Sequence, residues 1–463
     1  MSGPVWSGEW VSARLGLGLV DHASPVGLGL GELVGLAVRR NPRRAHLLVS
    51  TVLGKHVPTD PRIVYGAALL LGRLVGDVLS PSGEVDEVAL RAGALLRSGL
   101  AGSAGAAGEL RDLLVSHAVG RDAVVLGYAE TATALGHGVA DALGQAPYLH
   151  STRRPVAGVT PYGAFEEEHS HATSHLLLPD PPGLLDTDVP LVLVDDELST
   201  GRTVRNTLRA LHAVRPRSRY VVASLIDLRD AEDRAATSAL ADELGARVDV
   251  VALAEGAVLL PPGVLEAGAG LVASLDPAVA AGVGVARSAS EPGGGFGAYP
   301  ARVALGWPEG VPSGGRHGFA VRHREALDKA LAGMAVRVAE ALPAGASRVL
   351  VLGFEELMYA PLRLAEALAD LLPGVAVRYS TTTRSPVLAV ADPGYAIRGR
   401  IAFPAHDAPA DGPGERYAYN VDQGFDAVVA VVDEAGDTPA LHEGLLAELG
   451  GLTGRVVLAV VPS

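Results

Sequence analysis

Two adjacent aspartates, Asp195 and Asp196, follow the apolar run Leu191–Val194 and lead into Ser199-Thr200-Gly201-Arg202-Thr203. At the end of a parallel strand, side chains project into the crevice where open α/β sheets bind ligands. Two carboxylates there are costly to bury unpaired, but they suit sugar hydroxyls or a cation. The loop behind them offers three hydroxyls. Its backbone N–H groups, at the start of a helix predicted from Val204 onward, can wrap an anion. Gly201 permits close approach or an unusual backbone angle. Diol-binding acids beside a phosphate cup describe a site for a ribose 5-phosphate.

Other residues stand out by type or spacing. Lysine occurs only twice, at Lys55 and Lys329. Lys55-His56, after an apolar run and before a proline turn, is therefore a candidate for ligand recognition or charge stabilisation, set against an ordinary surface lysine. His169, His171 and His175 form His-x-His-x3-His beside Glu166, Glu167 and Glu168. That spacing can ligate zinc, but no second segment supplies further ligands. Hydrogen bonding to substrate from a closing loop is the preferred reading. Arg384-Ser385, with Arg316-His317, outlines a second anion pocket, set against a domain kept for packing or dimerisation.

The elements that must carry these residues are short Val/Leu-rich runs alternating with Ala/Leu/Arg-rich helical stretches; the runs include Asp122–Tyr128, Val189–Asp196, Arg219–Asp227, Ser347–Phe354 and Gly454–Val461. Strands buried on both faces lose the alternating pattern, so this is an α/β chain with parallel sheets. The Gly/Pro/Ser-rich stretch Ser288–Pro300 marks a linker. Expected limits are 1–287, a linker 288–300, and 301–463. The two sides resemble each other. Val124–Leu143 recurs as Val349–Leu368, sharing Gly-aromatic-x-Glu; Thr152–Val156 recurs as Thr383–Val387; Leu191–Glu197 recurs as Val429–Glu434; and Arg219–Leu225 recurs as Arg455–Val461. The expected fold is tandem Rossmann-like sheets, the second a degenerate copy. Where the first has Ser-Thr-Gly-Arg-Thr, the second has Ala435-Gly436-Asp437-Thr438-Pro439 and no hydroxyl cup.

Composition narrows the partners. A formal charge of −14 argues against a general nucleic-acid binder. The absence of cysteine excludes disulfides, thiolate metal sites and cysteine nucleophiles. The N-terminus lacks the pattern of a signal peptide, and no uncharged apolar run is long enough to span a bilayer. A soluble, cytoplasmic protein that does not bind membranes is expected.

The stretch Leu191–Thr203 resembles the phosphoribosyl pyrophosphate (PRPP) signature of type I phosphoribosyltransferases: apolar strand, two acids, two variable residues, then Ser/Thr-Thr-Gly-x-Thr. Glu197 departs from the usual apolar residue. Asn41-Pro42, His46–Pro58, the Glu166–Ala172 stretch and Thr381–Pro386 resemble one branch, the orotate-phosphoribosyltransferase-like proteins of tellurium-resistance and stress gene clusters. That branch carries a C-terminal TRSP domain, and this chain has the tetrapeptide at Thr383–Pro386.

The resemblance implies transfer of a 5-phosphoribosyl group from PRPP to a small, heterocyclic acceptor with release of pyrophosphate, in a specialised nucleoside-like or stress-linked pathway. Asp195 and Asp196 would hold the ribose hydroxyls, and Ser199, Thr200, Gly201, Arg202 and Thr203 the 5-phosphate. Ala129, Glu130 and Thr131, within Gly127–Thr131, match the pyrophosphate loop. Arg153 and Arg154 would serve the leaving pyrophosphate, in place of the loop lysine of orotate enzymes. Lys55, His56, His169, His171, Arg384 and Ser385 are candidates for acceptor recognition. Mg²⁺ is expected through PRPP oxygens, with Asp195 and Asp196 as candidate direct ligands. A hydroxyl at Ser199, where purine enzymes often carry aspartate, disfavours a purine acceptor. Ser151–Pro182 is the candidate closing loop, and a homodimer is expected. A PRPP-sensing module without transfer, and phosphorolysis or hydrolysis of a ribonucleotide, are the rival readings.

Overall fold

The Val/Leu runs pair into two sheets that share one continuous core. The computed structural model describes residues 9–40, 44–80, 86–154, 156, 161–166, 174–275, 300–407 and 414–463.

The first half runs α1 (Glu9–Leu15), β1 (Gly18–Ala23), α2 (Leu30–Leu33), β2 (Val34–Val38), β3 (His46–Ser50), α3 (Pro61–Leu79), α4 (Glu87–Leu100), α5 (Ala104–Ser116), β4 (Val124–Gly127), α6 (Thr133–Leu143), β5 (Tyr148–His150), β6 (Gly163–Glu166), β7 (Ser174–Leu177), β8 (Leu191–Leu198), α7 (Arg202–Val214), β9 (Arg219–Asp227), α8 (Ala231–Leu244), β10 (Arg247–Leu259) and α9 (Val264–Leu275). Its six-stranded sheet has the order β1-β10-β9-β8-β4-β5, parallel except for β1. The second half runs β11 (Ala301–Val303), α10 (Val321–Ala341), β12 (Arg348–Gly353), α11 (Tyr359–Leu371), β13 (Ala376–Thr381), β14 (Arg400–Pro404), β15 (Glu415–Tyr419), β16 (Ala427–Asp433) and β17 (Val456–Val461). Its parallel sheet has the order β11-β17-β16-β12-β13. The four strands β5-β4-β8-β9 and β13-β12-β16-β17 thus stand in the same order, and each half adds an antiparallel hairpin, β6-β7 or β14-β15.

Local chemistry explains the long central helix. Asp60 caps α3 by accepting from the Arg62 N–H, and Pro61 opens its first turn. Nearly every residue of α3 is buried, and it lies against α6 at close range. A Cβ at Gly138 would fall 2.4 Å from Ala68 Cβ, and one at Gly72 2.8 Å from Val139 Cα. Alanine at either position would push the helices apart.

A polar cluster joins the halves. Asp141 Oδ2 on α6 accepts from Tyr65 on α3 at 2.9 Å and from Tyr359 on α11 at 2.7 Å. Arg324 on α10 lies 3.3 Å from Asp141 Oδ1, and Arg363 stacks 4.2 Å above the Tyr65 ring. His137 stacks flat on Tyr359 at 3.9 Å. This polar network lies at the contact between the halves. The sequence expectation of a linker at 288–300 falls largely outside the described residues, of which only Pro300 is included. Among the described residues, no helix is long and apolar enough to cross a membrane.

Candidate active site

Strand β8 continues through both acids to Leu198 instead of ending before them, pairing with β9 from Leu191↔Tyr220 to Leu198↔Asp227. Successive residues of a strand face opposite ways, so Asp195 and Asp196 serve different sides of the crevice. The Asp196 N–H donates to Asp195 Oδ1 at 2.9 Å. Burial pushes the Asp196 carboxyl above its ordinary range; the Lys55 cation opposes this, Glu197 adds to it, and the hydrogen bond with Asp195 opposes it. Glu197, the departure from the family pattern, is held by Arg44 Nη2 at 2.6 Å. An acid is tolerated there because an arginine meets it.

The loop Ser199–Thr203 turns the chain from β8 into α7. Gly201 is the helix cap, in the left-handed region at φ 66°. The Arg202 N–H lies 3.4 Å from Thr200 Oγ1, and Arg205 Nη1 donates to the Thr200 carbonyl at 2.7 Å. The first turn of a thirteen-residue helix therefore opens on this loop, with its N–H groups directed at the crevice end.

Gly127–Thr131 connects β4 to α6 on the neighbouring strand of the sheet. The Ala129 N–H donates to Ser151 Oγ at 3.0 Å, which fixes the loop from β5. Lys55 Nζ donates to Thr131 Oγ1 at 2.6 Å. One lysine thus joins the Gly127–Thr131 loop to the electrostatics of the acid strand. Glu130 points to the second half, where Arg384 Nε lies 2.7 Å from its Oε1.

The remaining expected residues are distributed differently. Arg154, expected at the leaving pyrophosphate, is turned to the second half: its Nε is 3.2 Å from Glu356, its Nη1 is 3.4 Å from Asp433, and Asp407 pairs with its Nη2. Its chain neighbour Arg153 donates from Nε to His175 Nε2 at 3.4 Å. His175 is buried, with Nδ1 on Ser151 Oγ at 2.9 Å. Both ring nitrogens are engaged by protein, which argues against the histidine metal cluster. His169 and His171 lie outside the described residues, as do parts of the candidate closing loop, whose described portion contains β6 and β7. His56 is buried 5.4 Å from the Tyr419 ring, a packing position between halves. Ser385 donates its N–H to Thr383 Oγ1 at 3.2 Å and accepts from Tyr419 through its carbonyl at 2.7 Å.

The corresponding region of the second half is filled by charges from both halves. Glu356 accepts from Thr152 at 3.1 Å and faces Arg316 and Arg154, each at 3.2 Å. Burial would raise its carboxyl, but Arg316, His150 and Arg154 outweigh that and hold it down at about 2. Burial keeps His150 neutral, at about 4. Asp433, at the end of β16, accepts from the Gly436 N–H at 2.9 Å and so closes its own turn. Sequence reasoning missed Glu355, Glu356, Asp407 and Asp433 as partners. One signal was available: Gly54-Lys55-His56 recurs as Gly315-Arg316-His317. Arg316 meets the second half's loop and acid strand much as Lys55 meets the first's, at 3.2 Å from Glu356 and 3.8 Å from Asp433.

Residues 33–257 match the family model described as phosphoribosyl transferase, and residues 313–449 match the TRSP domain found C-terminal to it. Residues 33–257 thus form a phosphoribosyltransferase-family domain, followed by a TRSP domain. Phosphoribosyl transfer is the chemistry that names the family. No curated protein matches the chain. Among solved structures, adenine phosphoribosyltransferase from Trypanosoma brucei overlaps 32% of this chain and 65% of its own, at 17% identity and TM-score 0.24. The enzyme from Leishmania tarentolae overlaps 32% of this chain and 71% of its own, at 20% identity and TM-score 0.23. That from Rhodothermus marinus overlaps 32% and 80%, at 16% identity and TM-score 0.21. Overlaps this partial carry no argument about acceptor or mechanism.

Among the described residues, no three His, Asp or Glu side chains gather into a metal cage. The acids at this site, Asp195 and Asp196, are hard oxygen donors. Because they face opposite ways along β8, one of them would meet a Mg²⁺ ion whose other ligands come from a phosphorylated substrate and water.

Proposed function

We propose that this phosphoribosyltransferase moves the 5-phosphoribosyl group of PRPP, with Mg²⁺, onto a ring nitrogen of a small heterocyclic acceptor. The bond from the anomeric carbon to pyrophosphate breaks, its electron pair leaves with pyrophosphate, and a carbon–nitrogen bond forms. The observation that carries this reading is the continuity of β8, the Ser199–Thr203 loop and α7, with Lys55 reaching across to Thr131. Asp195 and Asp196 orient the ribose hydroxyls, and the 199–203 loop anchors the 5-phosphate. Such a site acts mainly by positioning and charge stabilisation. Mg²⁺ would supply neutralisation of the diphosphate charge.

Lys55 takes the part expected of Arg154 as a cation near the leaving group. The hydroxyl at Ser199 supports a non-purine acceptor, and the stress-linked setting rests on the resemblance alone. We read the second half as a degenerate copy, supported by the matched strand order and by a crevice occupied by Glu356 and its arginines. A non-catalytic PRPP sensor is the second reading, favoured by the engagement of Arg154 away from the first crevice. Pyrophosphate release from PRPP and Mg²⁺ across a panel of heterocyclic acids and bases separates the two. Release dependent on one acceptor supports transfer; PRPP binding without release from any acceptor selects the sensor.

A further inference from the structure

Glu130 lies in the loop read as binding pyrophosphate, where a free carboxylate would repel the ligand. Arg384, the arginine of the Thr383–Pro386 tetrapeptide, reaches it from the other half. Its Nε lies 2.7 Å from Glu130 Oε1, with the two side chains 16% and 11% exposed. Its Nε donates to Glu355 Oε2 at 2.8 Å and its Nη2 lies 2.7 Å from that same oxygen, so the contact with Glu130 is an ion pair by proximity; Glu355 is held on its other oxygen by Arg416. The next residue of the loop, Thr131, is held by Lys55. Two consecutive residues are thus fixed from opposite directions, one by the first half and one by the second.

We propose that Arg384 is a positioning residue for the first half's anion site: it draws the Glu130 carboxylate toward the second half and cancels its charge. The second half then completes a site it does not itself contain. This inference rests on the PRPP reading above, and it gives Arg384 a different part from the acceptor contact that the sequence suggested. Burial and the neighbouring Glu130 push the Glu355 carboxyl up to about 7, against the pull of Arg384 and Arg416. Glu130 and Glu355 therefore share one arginine, and because Glu355 keeps Arg416, loss of Arg384 leaves Glu130 without a neutralising cation at that contact.

The test is calorimetric titration of PRPP with Mg²⁺ into the full-length wild type, Arg384→Gln and Arg384→Gln/Glu130→Gln. Affinity is expected to fall at least about tenfold in the single variant and to return within about threefold of wild type in the double. A purely structural arginine would leave both variants equally weak, and that lack of rescue overturns the inference. Unchanged affinity in Arg384→Gln overturns it as well. Should Arg384→Gln fail to fold, Glu130→Gln alone removes the carboxylate that Arg384 neutralises and is expected to bind within about threefold of wild type; a tenfold loss there counts against the proposal. No binding by the wild type overturns the PRPP reading itself, a result distinct from all of these.

Discussion

Gly201 is the residue at which backbone geometry and ligand binding meet, and Gly201→Ala separates them. The position has φ 66° and ψ 10°, a conformation in which an alanine costs about 1 kcal/mol. The added Cβ would lie 3.0 Å from Arg229 Cδ. Arg229 is poorly able to retreat: Nε and Nη2 hold Asp227 at 2.9 and 2.8 Å, and Nη1 donates to Thr237 at 3.0 Å. Crowding against so fixed a side chain adds about 1 kcal/mol more. The expected loss is about 2 kcal/mol in urea unfolding, read as a lower midpoint at unchanged slope. Because strain at Gly201 turns the N–H groups of the 199–203 loop, PRPP affinity by calorimetry should fall at least about tenfold. A variant with wild-type midpoint and wild-type affinity would refute the reasoning about the loop.

Two further predictions follow from charge. Asp196 has its carboxyl raised above 3.8 by burial, so its contribution to stability is complete below that pH and is lost as pH rises through the folded-state value. Asp196→Asn is therefore expected to melt higher than wild type at neutral pH, with the gap narrowing as pH falls toward 4; a gap that widens on acidification contradicts this. Glu356 behaves oppositely: held at about 2 against an ordinary 4.5, it stabilises above 4.5 and that stability is lost as pH falls toward 2. Glu356→Gln should cost about 3 kcal/mol at pH 7 in urea unfolding, and an undiminished midpoint would show that the arginines around it find other partners.

What the sequence revealed follows the range of the interactions concerned. The acid strand, the hydroxyl loop and the helix after it are contiguous, so Asp195–Thr203 could be recognised as one device. The parallel character of the strands and their recurrence were legible because buried strands lack alternation; their order in each sheet was not. The partners of the charged residues were not. Arg154 follows Thr152 in the chain, but its direction is set by Glu356, Asp407 and Asp433, more than 200 positions away. Nothing near Glu130 or Glu197 in the chain points to the arginines that meet them, Arg384 and Arg44. His56 read as a site residue because it adjoins Lys55; burial against the second half removed it from the crevice. Charge pairing across halves has no local signature beyond the repeated glycine-cation-histidine of Gly54–His56 and Gly315–His317.

The most direct test is calorimetric titration of PRPP with Mg²⁺ into wild type and into Asp195→Asn/Asp196→Asn. The account predicts micromolar-range binding by the wild type and its loss in a variant that still folds. Equal binding by both would remove the acids from the site, and no binding by the wild type would contradict the phosphoribosyl-donor reading altogether.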